Sequence, residues 1–368
     1  MKVALITILD NTNFGTYLQA LALGRTIEAL GYKVEVIKYI RFILTPKGRF
    51  VTQMRERGLL RGLFISLKGL RNLIRLRKKN YDFINSFLSV TKEYNSNEEL
   101  QAEPPIADIY LTGSDQVWNS IYNHGIDKSY YLDFAPKGYK RVSYAASIGM
   151  DKFPESELEV TKSLLSKYDV VTVREKQNVD LLHSIGINSQ VVLDPTLLLD
   201  KQQWQKVAKN YSMHNYESYL LIYSVETKRQ EALIKYYAKA IAKAKGLKIY
   251  EVSYSSKIRH MNFADRSFLS ATPDQFLNLM FHASFVIISS FHGTAFSINF
   301  NKQFLTVSPD RFNNRVDNIL GLTGLSDRMV IDYSLNIHLL KNINYELVNE
   351  KLKIKRQESL HILKKMLS

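Results

Sequence analysis

The sequence contains no cysteine in its 368 residues. Disulfide frameworks, thiol nucleophiles and cysteine-ligated zinc or iron–sulfur centres are therefore excluded, and nothing in the chain calls for an oxidising compartment. It also lacks any apolar run near the ~18–20 residues that a membrane span requires. The apolar stretch 3–9 stops at Asp10 with no small-residue cleavage site after it, so it reads as a first strand and not as a signal peptide. A soluble or peripheral protein is expected. There is no GxGxxG, Walker loop, HExxH pair or calcium loop, and no metal ligand set is expected. Only 8 proline and 16 glycine residues, against 45% hydrophobic ones, exclude general disorder. The length suits two domains better than one.

Acidic residues are scarce, 35 against 50 lysines and arginines, for a net charge of +15. The surplus is local. Residues 41–79 carry twelve basic residues and one acid, a net of +11, residues 351–368 add +5, and the remaining body has a net charge of −1. Leu60, Leu63, Leu67, Leu70 and Ile74 recur at helical spacing, with Arg57, Arg61, Lys68, Arg71 and Arg75 on an adjoining face. A basic amphipathic helix of this kind fits an anionic membrane surface. The alternative is an ordinary surface helix with a solvated face. Nucleic acid is not an expected partner, because aromatic residues are not interleaved with the basic run.

Strand and helix signals alternate, the pattern of parallel sheets covered by helices. Residues 3–9, 33–39, 107–112, 142–145, 170–173 and 191–193 read as strands of one unit, with helices over 16–30 and 155–168. Beyond Asp194-Pro195-Thr196, residues 219–224, 248–254, 285–289 and 304–307 read as strands of another, with a helix over 227–245. Thr272-Pro273-Asp274-Gln275 reads as a helix start.

Four turns after strands carry the polar residues that chemistry needs. In Ser289-Ser290-Phe291-His292-Gly293-Thr294, the helix start offers unpaired N–H groups and a positive dipole end to an anion. Gly293 permits close approach, Ser290, Thr294 and Ser297 add hydroxyls, and His292 can act as acid or base. Arg174, just past the strand 170–173, offers a fork for carboxylate or phosphate, or else an ion pair to Glu175 or another acid. In Gly113-Ser114-Asp115-Gln116-Val117-Trp118-Asn119, Asp115, Gln116, Trp118 and Asn119 suit a sugar subsite. The alternatives there are an N-cap for Asp115 and a core anchor for Trp118. Asn11, Asn13 and Gln19 follow the first strand and can join a second ligand.

Together these segments resemble the polysaccharide pyruvyl transferase family. The likeness runs from the NxNFGTxLQA stretch at Asn11 through GSDQVWN at Gly113, SYAASIG at Ser143, TVRE at Thr172 and DPTLLL at Asp194 to SFHGTAFSINF at Ser290. The resemblance implies an α/β, GT-B-like architecture of two Rossmann-like domains facing across a cleft. On this reading residues 1–190 form the acceptor side with a basic helical insertion at 41–90. Residues 191–345 form the donor side, and a helix over 346–368 packs back on the first domain. The resemblance further implies transfer of a pyruvyl group from phosphoenolpyruvate to two hydroxyls of a galactose-type sugar, without a cofactor. The cyclic ketal would form on a capsular or exopolysaccharide or its undecaprenyl-linked precursor, at the inner face of the cytoplasmic membrane.

Arg174 and His292 match the family's Arg after the strand and His before Gly. His292 and Asp115 are then the catalytic pair, with Arg174, Ser290, Gly293, Thr294 and Arg315 on the donor and Asn11, Asn13, Gln19, Gln116, Trp118 and Asn119 on the acceptor. Many members carry Arg where this chain has Ser290, and Arg311 or Arg315 can replace it. Two other readings compete: a GT-B glycosyltransferase using a nucleotide sugar, and a non-catalytic scaffold bound to a membrane.

Overall fold

Short apolar runs, each closed by a polar turn, become parallel strands in the computed structural model, which describes residues 1–9, 13–45, 48, 74–208, 217–225, 228–254, 261–308 and 313–368. They divide into two compact units, one of Met1–Pro195 with Ser359–Ser368 and one of Thr196–Glu358.

The first unit holds a seven-stranded sheet. Its strands are β1 (Lys2–Ile6), β2 (Lys33–Tyr39), β3 (Ser89–Tyr94), β4 (Ile109–Thr112), β5 (Lys140–Ala146), β6 (Val170–Val173) and β7 (Gln190–Val191), in the order β3-β2-β1-β4-β5-β6-β7. All neighbours run parallel. Helix α1 (Phe14–Ala29) links β1 to β2, and α2 (Lys176–Ser184) follows β6. Because successive crossovers leave β1 in one direction and β4 in the other, the order reverses between these two strands. A ligand crevice opens at the carboxyl ends of strands at such a switch point.

The second unit repeats the logic with β8 (Tyr219–Tyr223), β9 (Lys248–Val252), β10 (Arg266–Phe268), β11 (Phe285–Ile288), β12 (Gln303–Val307) and β13 (Met329–Val330). Their order is β10-β9-β8-β11-β12-β13, again parallel, with the switch point between β8 and β11. Helices α3 (Lys228–Lys245) and α4 (Pro273–His282) precede β9 and β11, and α5 (Phe291–Asn299) follows β11. Every residue of β4, β8 and β11 is buried, as expected of central strands covered on both faces.

The final helix, α6 (Tyr345–Leu367), ends in the first unit. There the Ser359 hydroxyl accepts from Leu193 N at 3.0 Å, and Tyr32 donates its hydroxyl to Leu367 O at 3.0 Å.

Three expectations change. The helix expected over 155–168 is a short turn, Glu155–Glu157, followed by a helix at Leu158–Leu165. Strand β1 stops at Ile6, and residues 7–9 lie in the turn after it. Of the expected basic helix, residues 49–73 lie outside the described residues, and the described part is helical over 74–85. Within it Arg77 is buried and donates Nη1 to Leu44 O at 2.8 Å, so it is not a headgroup ligand. No helix among the described residues is long and apolar enough to cross a membrane.

Candidate active site

At the switch point of the first unit, β4 runs into Gly113, where a Cβ would lie 2.9 Å from Leu5 Cδ1 and 3.1 Å from Thr7 Cβ. A side chain there would require Leu5 and Thr7 of the neighbouring strand and turn to give way. Two residues later Asp115 takes φ 78°, a left-handed conformation that a non-glycine residue holds at some cost. Its Oδ1 accepts from Gln116 N at 2.9 Å, and its carbonyl accepts from Val117 N at 2.7 Å and Ser147 N at 3.0 Å. The turn thus binds β4 to the end of β5 and fixes a carboxylate at the sheet's carboxyl edge. The Gln116 Oε1 accepts from Asn119 Nδ2 at 2.6 Å, over Gly149 at φ 62°. A Cβ on Gly149 would meet both side chains at under 3 Å.

Several acceptor residues expected from the sequence are held by the protein itself. Trp118 is 1% exposed, stacks on Tyr131 at 5.7 Å and donates Nε1 to Tyr130 O at 3.1 Å. It is a core anchor, and its covered faces cannot stack on a sugar. Asn119 is buried and accepts from Tyr122 N at 2.9 Å as the cap of a short helix. Asn13 caps α1, accepting from Gly15 N at 2.9 Å. Buried Gln19 donates to Thr7 Oγ1 at 2.8 Å. Asn11 lies outside the described residues.

Gln19 opens a buried network behind the edge. The Thr7 hydroxyl donates to Ser114 O at 2.7 Å, and the Ser114 hydroxyl donates to Asp194 Oδ2 at 3.1 Å. Arg174 closes on the same oxygen with Nη1 at 2.9 Å and on Glu175 Oε1 with Nε at 2.9 Å. Ser147 and Asn178 donate to the two oxygens of Glu175.

Burial alone would lower the pKa of Arg174, but Glu175, Asp194 and Asp115 hold it above its ordinary value. One guanidinium therefore faces three carboxylates in a place where its side chain is 3% exposed. Arg174 thus forms the buried ion pair that the sequence offered as the alternative to a donor clamp, with Asp194 as its second acid. Sequence reasoning gives no site role to Thr7, Ser114 or Asp194. Their signal is small hydroxyl residues and an Asp directly after apolar strands, positions where a sheet's carboxyl edge collects polar groups.

In the second unit the switch point joins Tyr223, the last residue of β8, and Ser224 after it to Ser289 and Ser290 after β11. The hydroxyls of Ser224 and Ser289 are 2.9 Å apart, and Val225 N donates to Ser289 Oγ at 3.2 Å. Ser290 caps α5, its Oγ accepting from Gly293 N at 3.0 Å. A Cβ on Gly293 would meet Ser290 Oγ at 2.9 Å and Tyr223 Cδ1 at 3.1 Å, so glycine lets the helix start lie against β8. Burial keeps the Tyr223 phenol neutral, well above its usual range, and it hydrogen-bonds Ser290.

Thr294 and Ser297 donate their hydroxyls to the carbonyls of Ser290 and Gly293 at 2.9 Å, so both are tied to the helix backbone. Their expected role as ligand donors is corrected accordingly. His292 stands in the first turn of α5, 7% exposed, with its ring edge-on to Phe291 at 5.2 Å. Arg315 is half-buried on the helix Asn313–Thr323, which packs on α5, while Arg311 lies outside the described residues.

A family model described as polysaccharide pyruvyl transferase matches residues 13–311, which include both switch-point turns. The chain belongs to that family. This makes it a transferase acting on a polysaccharide-type acceptor. No curated protein matches the chain. Among solved structures, the UDP-GlcNAc 2-epimerase of Methanocaldococcus jannaschii is similar at a TM-score of 0.51 and 11% identity, covering 97% of this chain and 93% of that one. The UDP-GlcNAc 2-epimerase of Neisseria meningitidis, solved with UDP-GlcNAc, gives a TM-score of 0.50 at 11% identity, covering 98% of this chain and all of the other. At such identity the likeness shows the fold alone, two Rossmann-like domains of GT-B-like type.

Proposed function

We propose that this pyruvyl transferase moves the pyruvyl group of phosphoenolpyruvate onto two hydroxyls of a sugar, forming a cyclic ketal and releasing inorganic phosphate. The observation that carries the reading is the position of His292 and the first turn of α5 at the β8/β11 switch point in a member of this family. A helix start presents N–H donors and the positive end of its dipole, and phosphate is the anion such ends favour. Half-buried Arg315, on the helix that packs on α5, would supply the guanidinium that Ser290 lacks.

The chemistry balances on these groups. Protonation of the donor methylene by His292 makes C2 electrophilic, and the first sugar hydroxyl adds there while Asp115 takes its proton. The second hydroxyl then displaces phosphate from the same carbon, its proton passing to the departing phosphate, and the ketal closes. No cofactor enters the scheme. The left-handed turn at Asp115 supports its role, since strain that persists is often found where a side chain must be aimed.

The acceptor is proposed to be a galactose-type residue of a capsular or exopolysaccharide intermediate carried on undecaprenyl. The basic residues of 41–79 and 351–368 would bring the protein to the inner face of the cytoplasmic membrane that bears it.

Mass analysis of a galactoside incubated with phosphoenolpyruvate tests the proposal. Gain of one pyruvyl ketal with one phosphate released is expected, and loss of both in His292→Ala with unchanged melting. Transfer of a hexose from a nucleotide sugar, or full activity in His292→Ala, overturns it.

A further inference from the structure

Helix α3 turns one face to the core, through Ile234, Tyr237 and Ile241, and its other face to solvent. The solvent face is patterned. Lys235, Lys239 and Lys243 recur every fourth residue, so they form one stripe with steps of about 6 Å. Ala232, Tyr236 and Ala240 form the next, and the small alanines leave the Tyr236 ring standing above a shallow groove. Tyr333 lines its far side. The two rings lie 5.0 Å apart at 90°, and both are about half exposed.

This arrangement is built and not incidental. The Tyr237 hydroxyl donates to Asp332 O at 2.9 Å and accepts from Leu335 N at 3.1 Å, which pins the segment carrying Tyr333 to α3. The Asp332 carboxylate is occupied by Ser334, which donates to it from both N and Oγ. Among the described residues, none of the three lysines has an ion-pair partner, although Lys235 lies 5.7 Å over the Phe263 ring. Across residues 228–245 the charge is six basic against one acidic.

We propose that this groove binds a carboxylate-bearing polysaccharide chain at a distance in sequence from the reacting turns. The partner follows from the pairing of the two stripes. Electron-rich ring faces receive the C–H faces of pyranose rings, and a row of ammonium groups pairs with carboxylates that recur along a chain. A bilayer would call for aliphatic tips where this helix face has alanines. Perpendicular rings do not make the successive parallel platforms that nucleic-acid bases use.

The inference rests on the reading given under Proposed function, because a ketal leaves one carboxylate on each modified sugar. The growing product would then be the chain that the groove holds.

Calorimetric titration of the full-length protein with alginate oligosaccharides, a carboxylate on every ring, provides the test, with neutral dextran as control. Alginate but not dextran is expected to bind. Tyr236→Ala with Tyr333→Ala should weaken binding by about ten-fold or more, and the double Phe variant should restore it. Lys239→Ala with Lys243→Ala should flatten its salt dependence. Unchanged alginate affinity in the double Ala variant overturns the inference, as does ring-dependent binding of DNA or phosphatidylglycerol vesicles tighter than that of alginate. Phosphate release from phosphoenolpyruvate with a small galactoside is measured on the same proteins. Release with ring-independent alginate binding removes the groove alone, and ring-dependent binding without release removes the proposed reaction alone.

Discussion

Arg174 Nη1 lies 2.9 Å from Asp194 Oδ2, and both side chains are almost wholly buried. Twenty residues separate them, one after β6 and the other in the segment leaving β7, so the pair ties the two ends of the α2 crossover together. It is a positioning contact. The same guanidinium also holds Glu175 through Nε at 2.9 Å.

Removing one partner of such a pair strands a buried charge and costs about 3–5 kcal/mol. Arg174→Met is therefore expected to lower the melting temperature by roughly 10 °C for a unit of this size. Arg174→Lys should rescue little of this, because a single ammonium cannot reproduce the fork to two carboxylates. Calorimetry checks both. A variant that melts like wild type but shows a raised KM for phosphoenolpyruvate would return Arg174 to the donor site.

Asp115→Asn separates aim from chemistry. Asparagine tolerates the left-handed conformation and keeps an acceptor for Gln116 N, so stability should stay within about 0.5 kcal/mol of wild type. If the carboxylate takes the acceptor's proton, kcat should fall by about 10²-fold or more. Denaturation and steady-state phosphate release, measured together, decide it.

Lys302 gives a pH dependence of defined sign. Burial, with Lys201 nearby, lowers its pKa to about 8, while its Nζ donates to Phe281 O and Ala283 O. Between that value and the ordinary lysine range, the unfolded chain binds the extra proton, so stability rises with pH. Wild type should gain on Lys302→Met from about pH 8 toward pH 10, by up to roughly 3 kcal/mol. Denaturant midpoints measured across that window would show a flat difference if the amine were solvated.

The proposed membrane attraction can draw on Arg75 of the expected basic face but not on Arg77. Arg77 is turned inward, whereas Arg75, Lys78 and Lys79 on the same helix are exposed. Changing these three to Gln should weaken sedimentation with phosphatidylglycerol vesicles by several-fold at low salt, at about 1 kcal/mol per basic residue near the surface. Unchanged sedimentation would make them an ordinary solvated face.

The β-branched residues Val34, Val36 and Ile37 make β2 legible from sequence, and the apolar runs at β8 and β11 are equally plain. Three of the four edge strands are not. In β3 the run Ser-Val-Thr-Lys-Glu-Tyr buries only Tyr94, and β10 and β13 have three and two residues, too short for any period to show. At the site, the turns themselves are visible as polar residues after apolar strands. What composition cannot give is which way a side chain faces. Trp118 and a sugar-stacking tryptophan look alike in sequence, and a ring in the core differs from one at the surface only through Tyr130 and Tyr131, which cover it. Arg174 suits a ligand or an ion pair equally until Asp194 is brought beside it.

The first unit is completed by Ser359–Ser368, where Ser359 holds the backbone at Leu193 and Leu367 receives Tyr32. Protein synthesis runs from the amino end, so the ribosome makes all of Thr196–Glu358 before it delivers these contacts. Of the two units, the one that leads in the chain is thus the one whose last contacts are synthesised after the other, and its full set of contacts cannot form until Thr196–Glu358 has been made.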